Sequence, residues 1–371
     1  MKVIIVAGAR PNFMKIAPLF RAIDRHNGIL KEGGERIDPV LVHTGQHYDV
    51  AMSEVFFRDL GLPNPDVNLE VGSASHAVQT ANIMIRFEEV CLREQPDWVL
   101  VVGDVNSTMA CTLVAAKMGI RVGHVEAGLR SFDRTMPEEI NRIVTDSLAD
   151  LLFTPSEDAD ENLLREGVPA DRIKRIGNIM IDSLLFNLEK IRARETLDSF
   201  RLQRKGYGLV TIHRPANTDN DAFMRRLMEI LGNLSSRLPI LFPVHPRTRK
   251  QIALCGASGG FGDGKNLKLV EPMGYLDFIN VLDGALFAVT DSGGLQEETT
   301  FLQIPCLTLR PNTERPVTVT QGTNKLITLQ TLEQDVEMIL DGRHKKGMIP
   351  DMWDGFSGER VISMLAEQAG N

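Results

Sequence analysis

Short apolar runs alternate along the chain with longer segments whose apolar residues recur at helical spacing, the pattern of strands and helices in parallel sheets. In the first half, residues 3–7, 40–43, 98–102, 122–125 and 151–153 read as strands. Residues 13–25, 77–93, 107–118 and 138–148 read as helices. From 184 to 206 the pattern turns charged and helical with few apolar anchors, as a connecting element would. A second series then begins, with strands expected at 209–212, 240–244, 267–270, 287–289 and 305–309. The stretch 358–368 reads as a short amphipathic helix placed to cross back onto the first domain. The economical reading is an α/β protein of two doubly wound domains facing each other. They cover residues 1–180 and 181–355, with the crossing helix in 356–371.

The length agrees with that division, because 371 residues at 43% hydrophobic content exceed one compact core. A formal charge of −8 argues against a nucleic-acid surface, which needs a basic stripe. An anionic ligand must therefore meet locally placed Arg, Lys, His or helix N-termini. Cys91, Cys111, Cys255 and Cys306 are far apart and form no Cys-x-x-Cys pair, so neither zinc nor a disulfide framework is indicated. A reducing cytoplasm fits that usage. The run 3–7 is strand-length and leads into Arg10 and Pro11 without a cleavage signal. No apolar run approaches the roughly 20 residues of a membrane span. The glycine-rich stretches 31–35 and 256–264 lack a preceding strand and a following helix, and read as solvent loops.

In open parallel sheets ligands bind beyond the carboxyl ends of strands, so the polar residues after each apolar run carry the chemistry. The most informative is Asp291-Ser292-Gly293-Gly294-Leu295-Gln296-Glu297-Glu298, a strand exit, a glycine turn and a helix with two early carboxylates. Glycines there let a ligand approach the backbone. The new helix offers N–H groups to phosphate oxygens, and a glutamate one turn on can accept ribose hydroxyls. This order suits a nucleotide diphosphate sugar.

Other strand ends are equally polar. Gly8, Arg10 and Lys15 follow the first, where Arg10 is either a fork for an anion or a solvated charge at a helix entry. Asp104 follows Gly103 and is either functional or the cap of the next helix. Glu126 ends the run 122–125, where burial demands a partner, Arg130 or Arg142, or a task. Glu138 follows Pro137 at a helix start, a position the helix dipole favours in any case. His213 and His245 stand at equivalent strand ends in the second series, and residues 310–316 are read as bringing cations beside the glycine turn or as a proline-rich surface turn. No Walker-type loop, Gly-x-Gly-x-x-Gly after the first strand, His-Glu-x-x-His or Asp-x-Asp pair occurs, which disfavours metals and redox cofactors.

With these residues in place the chain resembles the bacterial, non-hydrolysing UDP-N-acetylglucosamine 2-epimerases. The likeness runs through Gly8-Ala9-Arg10-Pro11, Thr44-Gly45-Gln46-His47, Gly103-Asp104, His124-Val125-Glu126-Ala127-Gly128-Leu129-Arg130 and Pro137-Glu138-Glu139-x-Asn141-Arg142. It continues through Gly177-Asn178, His213-Arg214, His245-Pro246, the glycine turn at 291–298 and Thr313-Glu314-Arg315-Pro316. It implies a glycosyltransferase-B-like fold of two Rossmann-like domains facing across a cleft, a homodimer, and no cofactor or metal. It also implies catalytic roles for Asp104, Glu126, Glu138 and His213. Arg10, Lys15, Phe278, Ser292, Gly293, Gly294, Glu298 and Arg315 would bind the UDP-sugar, Phe278 beside the uracil. Gln46, His47, Arg214 and His245 match an activator site that takes a second UDP-N-acetylglucosamine.

The implied reaction is reversible epimerisation at C2 to UDP-N-acetylmannosamine, supplying surface-polysaccharide precursors. It would run through loss of UDP to 2-acetamidoglucal and re-addition. Three departures bear on the sugar and the activator: Asn12-Phe13-Met14 where many members carry Glu-Ala-Ile, Ala216 where they carry glutamate, and Thr318 just after the Thr-Glu-Arg-Pro segment. The alternatives are a hydrolysing epimerase, an epimerase of a 2,3-diacetamido uronic acid nucleotide, and a glycosyltransferase of the same fold.

Overall fold

The structure is a computed structural model that describes the chain except for residues 31–33, 46–56, 58, 255–265 and 370–371. Cys255 and most of the two glycine-rich stretches therefore lie outside the described residues. Two compact units form, Met1–Phe186 with Asp351–Asn371, and Asn187–Pro350. The divisions thus fall at 186/187 and 350/351, where the sequence pattern suggested 180/181 and 355/356. Helix Ile179–Arg192 runs through the first of them.

The first unit holds β1 (Lys2–Ala7), β2 (Asp38–His43), β3 (Val67–Asn68), β4 (Trp98–Val102), β5 (Arg121–Val125), β6 (Leu151–Thr154) and β7 (Ile173–Arg175). They lie in the order β3-β2-β1-β4-β5-β6-β7, all parallel. The second holds β8 (Gly208–Thr211), β9 (Ile240–Pro243), β10 (Leu267–Val270), β11 (Phe287–Thr290), β12 (Cys306–Thr308) and β13 (Asn324–Leu326), ordered β10-β9-β8-β11-β12-β13 and again parallel. Each sheet reverses its winding once, between β1 and β4 and between β8 and β11. A doubly wound sheet opens a crevice at that switch point. The α/β, Rossmann-like reading of the sequence therefore holds for both units.

The central strands are apolar throughout because helices cover both faces of such a sheet. All five residues of β4 and of the run from Val3 to Ala7 are buried. Strands β3, β7 and β13 escaped the sequence reading. They are two or three residues long and partly exposed at sheet edges, so they leave no apolar run.

In the first unit, helix Ser357–Ala369 packs on helix Arg10–Gly28. The approach is close: a Cβ added at Gly358 would lie 2.8 Å from the Pro18 carbonyl oxygen. The buried Asp182 carboxylate accepts the Gly358 N–H at 2.8 Å, and burial pushes its carboxyl up to about 6. Trp353 donates its indole N–H to the Pro155 carbonyl at 3.2 Å. These contacts fasten the returning chain to a sheet begun more than 300 residues earlier.

Candidate functional site

In the first unit the chemistry collects where β4 and β5 leave the sheet beside the switch point. Gly103 follows β4 with φ of 67°, and a Cβ there would meet the Lys15 Nζ at 2.7 Å. Glycine is needed both for that backbone and for that space. The ammonium it admits lies 2.7 Å from Glu126 Oε1, with side-chain exposures of 7% and 4%. Glu126 itself has φ of 76°, a left-handed conformation that costs a residue with a side chain about 1–3 kcal/mol and gathers at functional sites. The N–H groups of Glu126 and Ala127 both donate to the Phe153 carbonyl, at 3.0 and 3.1 Å.

Asp104 points a partly exposed carboxylate, 25% accessible, at the buried guanidinium of Arg142. It makes no side-chain cap to helix Asn106–Lys117, whose N-cap is Val105. The remaining Arg142 nitrogens grip Glu139, Nε at 3.0 Å and Nη2 at 2.6 Å. Asn141 donates to the Asp104 carbonyl at 2.9 Å. Glu139 also accepts the N–H groups of Ser131 and Phe132, at 3.0 and 2.7 Å. Burial opposes its charge, yet these donors hold its carboxyl below the usual range. Its neighbour Glu138 is exposed in the first turn of helix Pro137–Leu148. Of these tandem glutamates, Glu139 braces the site and Glu138 faces solvent.

The ion pair considered for Glu126 from sequence, with Arg130 or Arg142, is thus replaced by one with Lys15. Arg142 is taken by Asp104 and Glu139, and Arg130 by Asp146 and Glu166. The side chain of Arg10 and all of Gln46 and His47 lie outside the described residues.

In the second unit the corresponding place joins the ends of β8 and β11. Asp291 is fully buried, and its Oδ1 lies 2.9 Å from His213 Nδ1 and 3.1 Å from the His213 N–H. Its Oδ2 accepts from the Arg214 N–H at 3.0 Å and Asn217 Nδ2 at 2.9 Å. Burial works against the charge, but His213 and these donors keep the Asp291 carboxyl below its ordinary range. A donor at Nδ1 leaves Nε2 as the nitrogen that can exchange a proton, on a ring 56% exposed. Asp291 was read from sequence only as the start of a turn. Its position directly after an apolar run at a switch point was the available signal.

Ser292 stands at the N-cap position of helix Gly293–Leu302 without a side-chain cap, and the first N–H groups of a helix have no intrahelical partner. A Cβ at Gly294 would meet nothing within 4 Å, whereas one at Gly293 would strike Glu314 Oε1 at 2.4 Å and Arg315 Nη1 at 2.7 Å. Arg315 is buried beneath this turn, with Nε 3.0 Å from Glu297 and Nη1 paired with Glu314. Arg310 holds the other Glu314 oxygen at 2.8 Å, so the charged residues of 310–316 form a buried brace beneath the turn, while Pro311 is exposed. Gln296 ties it in, accepting from Thr313 at 2.7 Å and Asn324 at 2.8 Å and donating to the Ser292 carbonyl at 3.1 Å. Thr318, one of the departures noted above, bonds Asn324 at 3.1 Å in the same network.

Glu298 is buried beside the Tyr275 hydroxyl, and desolvation pushes its carboxyl up to about 8. Phe278 lies half-buried on helix Tyr275–Gly284, Arg214 is half-buried, and His245 is exposed just beyond β9. Among the described residues no group of three His, Cys, Asp or Glu could hold a metal ion, and no helix is long and apolar enough to cross a membrane.

A sequence profile described as UDP-N-acetylglucosamine 2-epimerase matches residues 31–366. A UDP-N-acetylglucosamine 2-epimerase of Methanocaldococcus jannaschii is 41% identical over 98% of this chain and 99% of its own. A UDP-2,3-diacetamido-2,3-dideoxy-D-glucuronate 2-epimerase of Pseudomonas aeruginosa is 39% identical over 88% of each. The crystal structure of the M. jannaschii UDP-GlcNAc 2-epimerase in complex with UDP-GlcNAc and UDP superposes with a TM-score of 0.87, at 40% identity over 99% of this chain and 100% of that one. With the polar strand ends of both sheets in the order of the sequence motifs, the chain belongs to the UDP-N-acetylglucosamine 2-epimerase family.

Proposed function

We propose that the protein inverts C2 of UDP-N-acetylglucosamine, interconverting it with UDP-N-acetylmannosamine. The observation that carries this reading is Glu126, a carboxylate buried at a strained strand end and kept beside the Lys15 ammonium. A C2 hydrogen with no adjacent carbonyl is too weakly acidic for direct removal. Breaking C1–O first solves this: UDP departs with the bonding pair, the ring gains oxocarbenium character, and a carboxylate removes the C2 proton to leave 2-acetamidoglucal. Return of UDP to C1 with a proton delivered to the opposite face of C2 gives the epimer. Two faces call for more than one acid/base group. Asp104, Glu126 and Glu138 supply carboxylates, and His213, oriented by Asp291, supplies an imidazole. Arg10 and Lys15 neutralise the sugar diphosphate.

The helix start at Ser292, Gly293 and Gly294 stabilises the leaving phosphates. Glu298 takes the ribose, Phe278 the uracil, and Arg315 supports the turn. The reading extends to a homodimer in the cytoplasm and to a second UDP-N-acetylglucosamine as activator near Gln46, His47, Arg214 and His245. The diacetamido-uronate relative supports a second reading that keeps the reaction and changes the substituents at C3 and C6.

Proton NMR in D2O tests the proposal. Deuterium at C2 with a UDP-linked manno product is expected, free N-acetylmannosamine would indicate hydrolysis, and no exchange with either sugar nucleotide would overturn both readings. Glu126→Gln and Asp104→Asn should each abolish exchange with UDP affinity retained; normal turnover in either removes that residue from the catalytic set.

A further inference from the structure

We propose that His124 and Asp146 form a buried positioning pair that fixes the exits of β4 and β5, and with them the catalytic carboxylates. The inference rests on the epimerase reading. His124 is fully buried on β5, two residues before Glu126. Its Nδ1 lies 2.6 Å from Asp146 Oδ1 and its Nε2 lies 2.8 Å from the Gly103 carbonyl oxygen. Both partners only accept, so both ring nitrogens donate and the ring carries a proton on each. The local charges balance: Asp146 Oδ2 also takes Arg130 Nη1 at 2.7 Å, and Arg130 is held bidentately by Glu166 at 2.7 Å. Burial opposes the Asp146 charge, but His124 and Arg130 keep its carboxyl below the ordinary range.

What this pair holds is the strained part of the site. Asp146 grips His124 ahead of Glu126 and accepts the Gly128 N–H at 3.1 Å behind it, so a single carboxylate brackets the left-handed Glu126. On the neighbouring strand end, His124 fixes the Gly103 carbonyl while the Gly103 N–H donates to Val125 at 3.1 Å. The Gly103 peptide is the floor under the Lys15 ammonium and leads directly into Asp104. Displacing the ring therefore shifts the seat of Lys15, the Lys15–Glu126 pair and Asp104 together. The glycine turn at 291–298 belongs to the other unit.

The experiment compares His124→Gln, Asp146→Asn and the double variant for kcat, KM, C2 deuterium exchange and UDP affinity. It also takes nitrogen NMR of the wild-type protein labelled at histidine. In His124→Gln the amide oxygen would be left against one of the two acceptors, and kcat should fall about 100-fold, a larger change than in KM or UDP affinity, as for an ångström-scale loss of alignment. In the double variant the amide introduced in place of the Asp146 carboxylate donates to that oxygen, and roughly tenfold of the rate should return, a coupling expected of direct partners. In the wild-type protein both ring nitrogens of His124 should show the donor signature of their two hydrogen bonds. A bare ring nitrogen, an unaffected His124→Gln, or a double variant no faster than the single would each overturn the proposal. A wild-type protein without C2 exchange would overturn the epimerase reading instead, and the ring-nitrogen spectrum would still decide the His124 geometry.

Discussion

Glu298→Gln removes a carboxyl that the fold holds in its neutral form, and its effect on stability can be worked out from that. The group is buried beside Tyr275, with Glu297 adding like charge, and is raised from 4.5 to about 8. Between those values the unfolded chain is ionised at this position while the folded chain keeps its proton. Folded protein then binds more protons than unfolded, so stability falls as pH rises, and levels off above about 8. From pH 5 to pH 8 this spans roughly 2.5 units at 1.36 kcal/mol each, a loss of about 3 kcal/mol. Glutamine keeps the shape, can accept from Tyr275 and does not titrate.

Hydrogen exchange of the amides in helix Gly293–Leu302 is the suitable assay, since Trp98 and Trp353 both belong to the other unit. Comparing wild type with Glu298→Gln at each pH cancels the intrinsic pH dependence of exchange. The difference between the two proteins should grow by about 3 kcal/mol in favour of the variant across that range. Equal slopes would refute the argument, because Glu298 would then be ionised in the folded chain at neutral pH.

Lys15→Met takes the ammonium from Glu126 and should lower stability by about 3–5 kcal/mol, as for a broken buried pair, read as a drop in the urea midpoint of tryptophan fluorescence. An unshifted midpoint would mean that the carboxylate is solvated. Gly293→Ala drives a methyl into Glu314 and Arg315 and should destabilise by about 1–3 kcal/mol and weaken UDP binding by calorimetry. Gly294→Ala meets open space and should keep its stability; equal losses in the two would contradict the packing under the turn. Asp291→Asn removes a charged acceptor from His213 Nδ1 and should slow turnover about 100-fold. Unchanged turnover would exclude the imidazole oriented by Asp291 from the proton transfers.

The sheet-forming runs were legible because both faces of a parallel strand are buried, so residues such as 98–102 read as unbroken apolar sequence. Edge strands such as Val67–Asn68 are specified by a neighbour's free backbone and carry no such pattern. Site residues at strand ends could be nominated one by one, but their pairings could not. Lys15 and Glu126 are 111 residues apart, and nothing local favours Lys15 over the nearer Arg130 or Arg142. The supporting carboxylates were harder still. Asp146 sits in the last turn of its helix and Glu139 in the first beside an equally plausible Glu138, and only the packed helix shows that Asp146 and Glu139 are the buried ones. Asp291 directly follows an apolar run, which the sequence shows, but its pairing with His213 spans 78 residues and does not show there.

The returning helix Ser357–Ala369 has a consequence for how the protein comes into being. Because it packs on Arg10–Gly28, the first unit is written in two pieces of sequence with the whole second unit between them. In chain order the Asn187–Pro350 unit is complete before the helix that Asp182 and Pro18 receive has been added. The unit carrying Lys15 and Glu126, although translated first, is finished last. A released chain truncated after residue 350 should therefore hold its glycine-turn unit folded and its carboxylate unit open to protease.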